Sequence, residues 1–281
     1  MRSPFRLLVP GLMLAVAAAP SLAADYEPPI VADLPPALDE VPEFVPVEIG
    51  SGWYLRGDVG YAFTSASGPF TFRAFDAGAY TGGTFATGAY DGDVSFAVGF
   101  GYRFTDMLRA DLTVENFNLR FNGTRAFAVP CPGENAGTTC TAADSTTLGA
   151  WSIMANGYLD LGTFARFTPY VGAGLGVTYA NSGAGTTNYT CVGGACAGGT
   201  ASLAHASIDS WRFTYAAMAG FAYDINKNLK LDLGYMFRHV GGGNMFGFNT
   251  VSAAAGATGA EATDSGFNQH QIKVGLRYEL W

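Results

Sequence analysis

The chain has 281 residues, a formal net charge of −8 and 14% charged residues. This length allows one large domain, and the acidic balance excludes the basic surface that nucleic-acid binding requires. Aromatic residues make up 14% of the chain and glycine is abundant, a composition that suits strands and loops better than helices. We expect no nucleic-acid partner and no cofactor.

Residues 1–23 have the pattern of a secretory signal peptide. Arg2 and Arg6 form a short basic region before the apolar run at 7–19, and SLA at 21–23 supplies small residues for cleavage. An uncleaved anchor is disfavoured because no stop-transfer segment follows. The mature chain is therefore expected to begin at Ala24.

Residues 24–50 are expected to form a Pro-rich acidic arm. The stretch from Asp25 to Gly50 contains six prolines, seven acidic residues and no basic residue. Prolines and like charges at this density keep a segment extended and unpacked. We interpret the arm as a disordered linker in the periplasm.

From residue 51 onward, eight segments alternate between apolar and polar residues. Each is about the 9–11 residues, or slightly more, that a tilted strand needs to cross a bilayer. The pattern leaves open a soluble β-sandwich with one wet face, but such a fold would have turn signals at closer spacing. The eight predicted strands are residues 53–64, 94–104, 108–121, 150–161, 168–180, 211–224, 229–239 and 270–281.

The third segment changes phase. Its apolar positions alternate through Val114 and resume one residue late at Phe117, Leu119 and Phe121. Because a one-residue slip turns a strand over, the sequence predicts a β-bulge near Glu115 and Asn116.

Connections between the segments alternate in length. Three are short, near residues 105–107, 162–166 and 225–228, and four are long, at 65–92, 122–148, 181–210 and 240–267. Short turns at one end and long loops at the other are typical of outer-membrane barrels. We predict an all-β fold over residues 51–281, an eight-stranded antiparallel up-and-down transmembrane β-barrel in a Gram-negative outer membrane. The even strand count places both termini in the periplasm.

Aromatic residues near the ends of the predicted strands fit the interfacial girdles of such a barrel. They lie on the apolar face and comprise Trp53, Tyr61, Phe63, Phe104, Trp151, Tyr179, Trp211, Tyr223, Phe237 and Tyr278.

The polar face of the strands carries nearly balanced charge. Charges enclosed in a narrow lumen must be paired or hydrated, so this set predicts an internal salt-bridge network. The alternative is a selectivity lining for a small pore, but a porin-sized channel needs about twice as many strands. The predicted network comprises Arg56, Asp58, Arg103, Arg109, Asp111, Glu115, Asp160, Arg212, Asp224, Lys230, Asp232, Arg238, Lys273, Arg277 and Glu279.

Four cysteines occur as two close pairs, Cys131 with Cys140 and Cys191 with Cys196. An exported chain meets an oxidising compartment, so disulfides are expected. Three pairings are possible, and we favour the local one because each pair closes a short loop. No CxxC motif or histidine spacing indicates a metal site.

Two motifs are candidates for a catalytic or cofactor site. His205, Ser207 and Asp209 resemble the His-x-Ser pair of lipid A deacylase barrels, but no oxyanion donors are evident nearby. The glycines of GAGLG at 172–176 lack dinucleotide-loop spacing and precede no helix. We expect no enzymatic activity.

The last segment ends in a predicted assembly signal formed by Tyr278, Leu280 and Trp281. Tyr278 and Leu280 fall on the apolar face, whereas Trp281 is one position late and should point inward or towards the periplasmic edge.

Several stretches together resemble the small outer-membrane barrels of alphaproteobacteria, the outer-membrane immunogenic or porin-family proteins with an OmpA-like eight-stranded barrel. These stretches are AADYEPP, WYLRGDVGYAF, PYVGAGLGVTYA, NLKLDLGYMFR and QIKVGLRYEL. The resemblance implies a monomeric structural surface protein with antigenic loops, in contact with outer-membrane lipid, lipopolysaccharide and the barrel assembly machinery. It also implies a peptidoglycan attachment at Ala24. The alternatives are a small diffusion pore or ligand-binding barrel and, third, a lipid A-modifying enzyme.

Overall fold

The computed structural model describes residues 52–76, 78–127, 131, 134–198 and 200–280. The expected signal peptide, the arm and Ala24, and also Trp281, lie outside these residues. Within them the chain is all-β, with thirteen strands and one short helix. The strands are β1 Trp53–Ala66, β2 Phe70–Asp76, β3 Ala79–Thr84, β4 Thr87–Asp91, β5 Val94–Arg103, β6 Leu108–Phe127, β7 Thr139–Asp160, β8 Phe167–Ser182, β9 Gly185–Val192, β10 Thr200–His205, β11 Asp209–Asp224, β12 Leu229–Gly247 and β13 Ala260–Glu279.

Eight of these strands pair antiparallel in a closed ring. The order around the ring is β1, β5, β6, β7, β8, β11, β12 and β13, and β13 returns to β1. Closure leaves the ring without an unpaired edge, so its backbone donors and acceptors are satisfied between strands.

The two ends of the ring differ, and we call them the turn end and the loop end. At the turn end the short connections are closed by local hydrogen bonds. The Thr105 hydroxyl accepts from the amides of Met107 and Leu108, and the Asn226 side chain accepts from those of Asn228 and Leu229. Side chains of this type mimic backbone turns. The long connections lie at the loop end.

The long loops contain more regular structure than the sequence predicts. β2, β3 and β4 occupy the first expected loop, β9 and β10 the third, and β6 and β7 extend far into the second. These portions have polar outward faces, so the apolar alternation that marks the other strands is missing from them. The fourth loop holds the helix α1 Thr250–Ala254, capped by the Asn249 side chain. Among the described residues no helix is long and apolar enough to span a membrane.

The bulge predicted near Glu115 and Asn116 is wrong. β6 pairs with β7 without a break from Leu108 opposite Leu159 to Phe127 opposite Cys140. The strand keeps its phase, and its apolar residues beyond Val114 point inward rather than outward. Packing inside the ring, rather than a change of register, accommodates them. An irregularity of register occurs instead between β12 and β13, near Asn244 and Phe246.

Candidate functional site: the interior and the loop end

Arg56 is the centre of the charged interior near the turn end. Its guanidinium donates to both carboxylate oxygens of Asp58 at 2.8 and 2.9 Å and to Asp111 at 2.8 Å. It also donates to the hydroxyl of Tyr158 at 2.9 Å, and the Asn156 amide donates to the other oxygen of Asp111 at 2.8 Å. Strand alternation places Arg56 and Asp58 on the same inward face. Each buried carboxylate is thereby paired and hydrogen-bonded, as burial requires.

Glu115 is a second centre, higher in the interior. Lys273 Nζ lies 3.2 Å and an Arg238 nitrogen 3.3 Å from one carboxylate oxygen, while the Gln271 amide donates to the other at 2.8 Å. Further pairs join Arg109 to Asp160 at 3.1 Å and Arg277 to Asp232 at 3.2 Å.

All fifteen residues of the predicted charge network take part in ion pairs. Arg103, Lys230, Asp224 and Glu279 form a group at the turn end. Arg212 differs from the other members because its partner lies outside the predicted set. Its guanidinium is 2.8 Å from the carboxylate of Asp264.

The charged side chains that the structure describes enclose one small cavity. A cavity of about 20 Å³ remains between residues that include Arg56, Glu115 and Lys273, which is about the space of one water. Inward glycine makes this packing possible, since a Cβ at Gly275 would overlap the carboxylate of Asp58.

Above the charges lies a buried apolar cluster that includes the three out-of-phase residues of β6. Phe121 is fully buried and contacts Phe70 with a ring-centroid separation of 4.7 Å. The apolar cluster comprises Phe70, Tyr90, Phe117, Leu119, Phe121, Leu148, Ala150, Val240, Met245, Phe246, Ala262 and Phe267.

A second buried polar group lies on the loop-end side of the charged interior, and we call it the loop-end cluster. Its residues come from β6, β7, β9, β10 and β13. Arg125 donates to Asp144 at 2.8 Å and to Glu261 at 2.9 Å. Thr187 contacts Asp144 and lies 2.7 Å from His205 Nε2. Burial opposes the charge on Arg125, but Asp144 and Glu261 outweigh it and raise the pKa of Arg125. Arg125 therefore stays charged and ties the loop strands together.

The three residues of the deacylase-like motif do not come together as a catalytic site. His205 is buried, with Nε2 facing Thr187, and its Nδ1 lies 2.9 Å from Glu261 Oε2 outside hydrogen-bond alignment. Ser207 is exposed, and Asp209 accepts from Tyr179 at 2.7 Å. The Thr187–His205–Glu261 arrangement is equally unsuited to catalysis, because Thr187 is fully buried and a substrate cannot reach it.

Both disulfides join neighbours in sequence. Cys131 is bonded to Cys140 and Cys191 to Cys196, with Cα separations of 4.9 and 5.9 Å. Cys140 and Cys191 face each other across β7 and β9, so the two bonds fasten one region of the loop end.

The outer face of the ring carries an apolar belt. Trp151, Tyr179 and Trp211 lie side by side on three adjacent strands and form an aromatic row on the loop-end side. On the turn-end side Tyr278 points outward and is half exposed. The Leu280 amide donates to the Trp53 carbonyl at 2.9 Å, which holds the chain end against β1. The belt also includes Leu55, Val59, Phe96, Val98, Phe100, Leu108, Leu112, Val114, Ile153, Leu159, Val171, Leu175, Val177, Phe213, Phe221, Leu231, Leu233, Ile272, Val274 and Leu276.

Sequence reasoning missed Arg125, Asp144, Glu261 and Asp264. A usable signal exists for Arg125, because it shares the odd-numbered, inward phase of Asp111 and Glu115 along β6. The bulge predicted near Asn116 would turn the odd-numbered positions after it outward, so Arg125 was not recognised as an inward residue.

The chain is similar to several known proteins. The family model described as outer membrane protein beta-barrel domain matches residues 45–279. An uncharacterised protein of Brucella abortus is 38% identical, with 98% of this chain and 97% of that protein covered. A candidate adhesin of Rickettsia bellii is 25% identical, with 81% of this chain and 88% of that protein covered.

Solved structures of outer-membrane proteins are similar at a lower level. Neisserial surface protein A is 18% identical with a TM-score of 0.41, covering 82% of this chain and 98% of that chain. OprG from Pseudomonas aeruginosa is 20% identical with a TM-score of 0.37, covering 82% and 97%. The family model and the Brucella relatives decide the assignment. The chain belongs to the outer-membrane β-barrel family, together with these alphaproteobacterial relatives.

Proposed function

We propose that the protein is a structural surface component of the outer membrane, an eight-stranded up-and-down barrel whose lumen is closed to solutes. The observation that carries the proposal is the packed interior, where the charge network leaves a cavity of about 20 Å³ and the apolar cluster lies above it. In this role the protein is a monomer in contact with outer-membrane lipid and lipopolysaccharide, and it performs no catalysis.

The proposed orientation has the turn end and both termini in the periplasm and the loop end outside the cell. Two disulfides at the loop end support it, since such bonds persist on cell surfaces. Tyr278 and Leu280, followed by Trp281, form the signal to the barrel assembly machinery. The adhesin description of the Rickettsia relative supports a surface role for the loop end.

Planar-bilayer conductance tests the closed lumen. We expect no steady steps from the folded protein, with a general porin in the same membrane as the positive control. Ion-selective steps that scale with the amount of folded protein would establish the diffusion pore instead.

We also propose that residues 24–50 connect the barrel to peptidoglycan through Ala24. The proline and acidic content of this segment is typical of extended linkers, which suits a tether. Mass spectrometry after muramidase digestion should find a sugar-peptide adduct on Ala24. A free Ala24 amine in every molecule would leave the arm as a plain linker.

A further inference from the structure

Five strands at the loop end form one sheet whose outer face is almost free of charge. The order is β4, β6, β7, β9 and β10. Across it, Asn122 lies opposite Ser145, which lies opposite Thr186. The next row runs through Thr87, Thr124, Ala143, Asn188 and Ser202. We call these residues, with Thr141 and Thr190, the threonine face.

The chemistry of the threonine face suits neutral sugars. Threonine, serine and asparagine supply both donors and acceptors, as the hydroxyl groups of a saccharide do. In a chain of net charge −8, the charged residues that the five strands expose on this outer face, within the described part of the chain, are Asp91 and Arg120, which lie opposite each other at its lower edge. A phosphorylated or acidic ligand would find little to bind here.

The threonine face is also concave. A hollow of about 340 Å³ lies over it, lined by residues that include Thr87, Asn122, Thr124, Ser145, Asn188 and Asp144. The carboxylate of Asp144 is buried on the inner side, where it pairs with Arg125 in the loop-end cluster. That volume is within the range of ligand sites, which is about 300–1,000 Å³. Most ligand sites are lined by apolar and aromatic side chains. The hydroxyl and amide side chains along this hollow favour a hydrated, hydroxyl-rich occupant instead.

The height of the threonine face identifies the source of the sugar. β7 continues from the apolar belt at Trp151 to Ser145 on the face, six residues further on, which is roughly 20 Å along the strand. In the proposed orientation, a surface this far along the strand beyond the belt would lie among the saccharide chains of the outer leaflet.

We infer that the threonine face binds neutral sugar residues of the lipopolysaccharide in the protein's own membrane. The inference rests on the proposed orientation, with the loop end outside. The five-stranded sheet at the loop end would then hold the polysaccharide layer around each barrel.

Surface plasmon resonance with the polysaccharide released from lipopolysaccharide by mild acid tests this site. The full chain would be held in phospholipid nanodiscs free of lipopolysaccharide. The test variant is S145A/N188A, which removes a hydroxyl and an amide from the hollow without touching the loop-end cluster. The matched control is T81A/T84A, on exposed residues of β3 outside the threonine face.

We expect the wild type and the control to bind the polysaccharide equally and the test variant about tenfold more weakly, from two lost hydrogen bonds. If the test variant does not fold, N188K fills the hollow with a long side chain and should have the same effect. Equal binding by the wild type and the folded test variant, or no binding by the wild type, would overturn the inference.

Heat-modifiable gel migration of the same samples separates this inference from the proposed function. If the wild type inserts and shows the heat-dependent change in migration but does not bind the polysaccharide, only the sugar site is refuted. A wild type that never shows the shift refutes the membrane barrel itself.

Discussion

Along β6 the two halves of the ring have opposite polarity. In the turn-end half, Val114 is on the outer face and Glu115 on the inner face, so the strand is apolar outside and charged inside. In the loop-end half, Asn118 is outside, while Phe117 and Phe121 are buried inside. The backbone register is the same in both halves, so the difference lies in the surroundings and not in the strand.

This comparison locates the boundary of the membrane. A strand that faces lipid must be apolar outside, whereas one that faces water is apolar inside like any soluble protein. We infer that β6 leaves the lipid between Val114 and Asn118. Beyond that point water surrounds the ring, and its interior holds the apolar cluster and the buried ion pairs of the loop-end cluster.

The largest effect should come from the charged interior of the turn-end half. Arg56→Ala leaves Asp58 and Asp111 buried without their base, which should lower the free energy of unfolding by about 4 kcal/mol. The midpoint of urea unfolding in phospholipid vesicles measures it. Arg120→Ala, at an exposed site on the outer face, is the control and should change stability by less than about 0.5 kcal/mol. Equal effects would mean that the interior charges are hydrated instead of paired.

The apolar cluster of the loop-end half is expected to come next. Phe121→Ala should cost about 3 kcal/mol, because it opens a cavity beside Phe70 and Tyr90. Unfolding in the same vesicles gives the value, and Asn118→Ala on the outer face of the same strand serves as the comparison. A cost below about 1 kcal/mol would show that the three aromatic rings do not form a packed core.

Arginine substitutions on the outer face should distinguish the two halves directly. Leu112→Arg puts a charge in the middle of the belt and should cost about 2–4 kcal/mol. Asn118→Arg should cost less than about 0.5 kcal/mol, since water already surrounds that site. Unfolding measurements of the two variants side by side test the membrane boundary. Similar losses of unfolding free energy would mean that β6 does not cross this boundary between Val114 and Asn118.

The smallest effect concerns Tyr90 in the apolar cluster. Burial, and then the neighbouring Asp264 carboxylate, raise the pKa of Tyr90 well above its ordinary value of 10. A raised pKa means that the neutral phenol stabilises the fold up to about pH 10, and that this stability is lost as the pH rises through the folded pKa. As the pH rises above 10, the Tyr90→Phe variant should therefore lose less stability than the wild type. Parallel losses in the two proteins would place Tyr90 in water.

Much of the turn-end half could be predicted from the sequence, because its signals are local. A strand with lipid on one side and paired charges on the other must alternate with a period of two. This alternation predicted both the inward Arg56 and Asp58 and the outward residues of the apolar belt. The oxidising compartment predicted disulfides, and the short loop that each pair closes favoured the local cysteine pairs. The partner of Arg212 could not be found this way, because Asp264 comes from a distant strand through a loop that showed no alternation.

The loop-end half was harder for a physical reason. Phe117 and Phe121 are apolar in either environment, and sequence alone does not reveal that the solvent outside β6 changes from lipid to water. A shift of phase and a change of the surrounding solvent produce the same order of apolar and polar residues in the sequence. Only the pairing of β6 with β7 separates them.

Spin labels along β6 test the central claim most directly. All four native cysteines are in disulfides, so a single new cysteine provides the labelling site at each position from 110 to 122. The account predicts that labels at 110, 112 and 114 are relaxed by oxygen dissolved in lipid, those at 118, 120 and 122 by an aqueous nickel chelate, and those at 117, 119 and 121 weakly by either. Strong oxygen relaxation at 117, 119 and 121 would contradict the account, because it would put these side chains in the lipid.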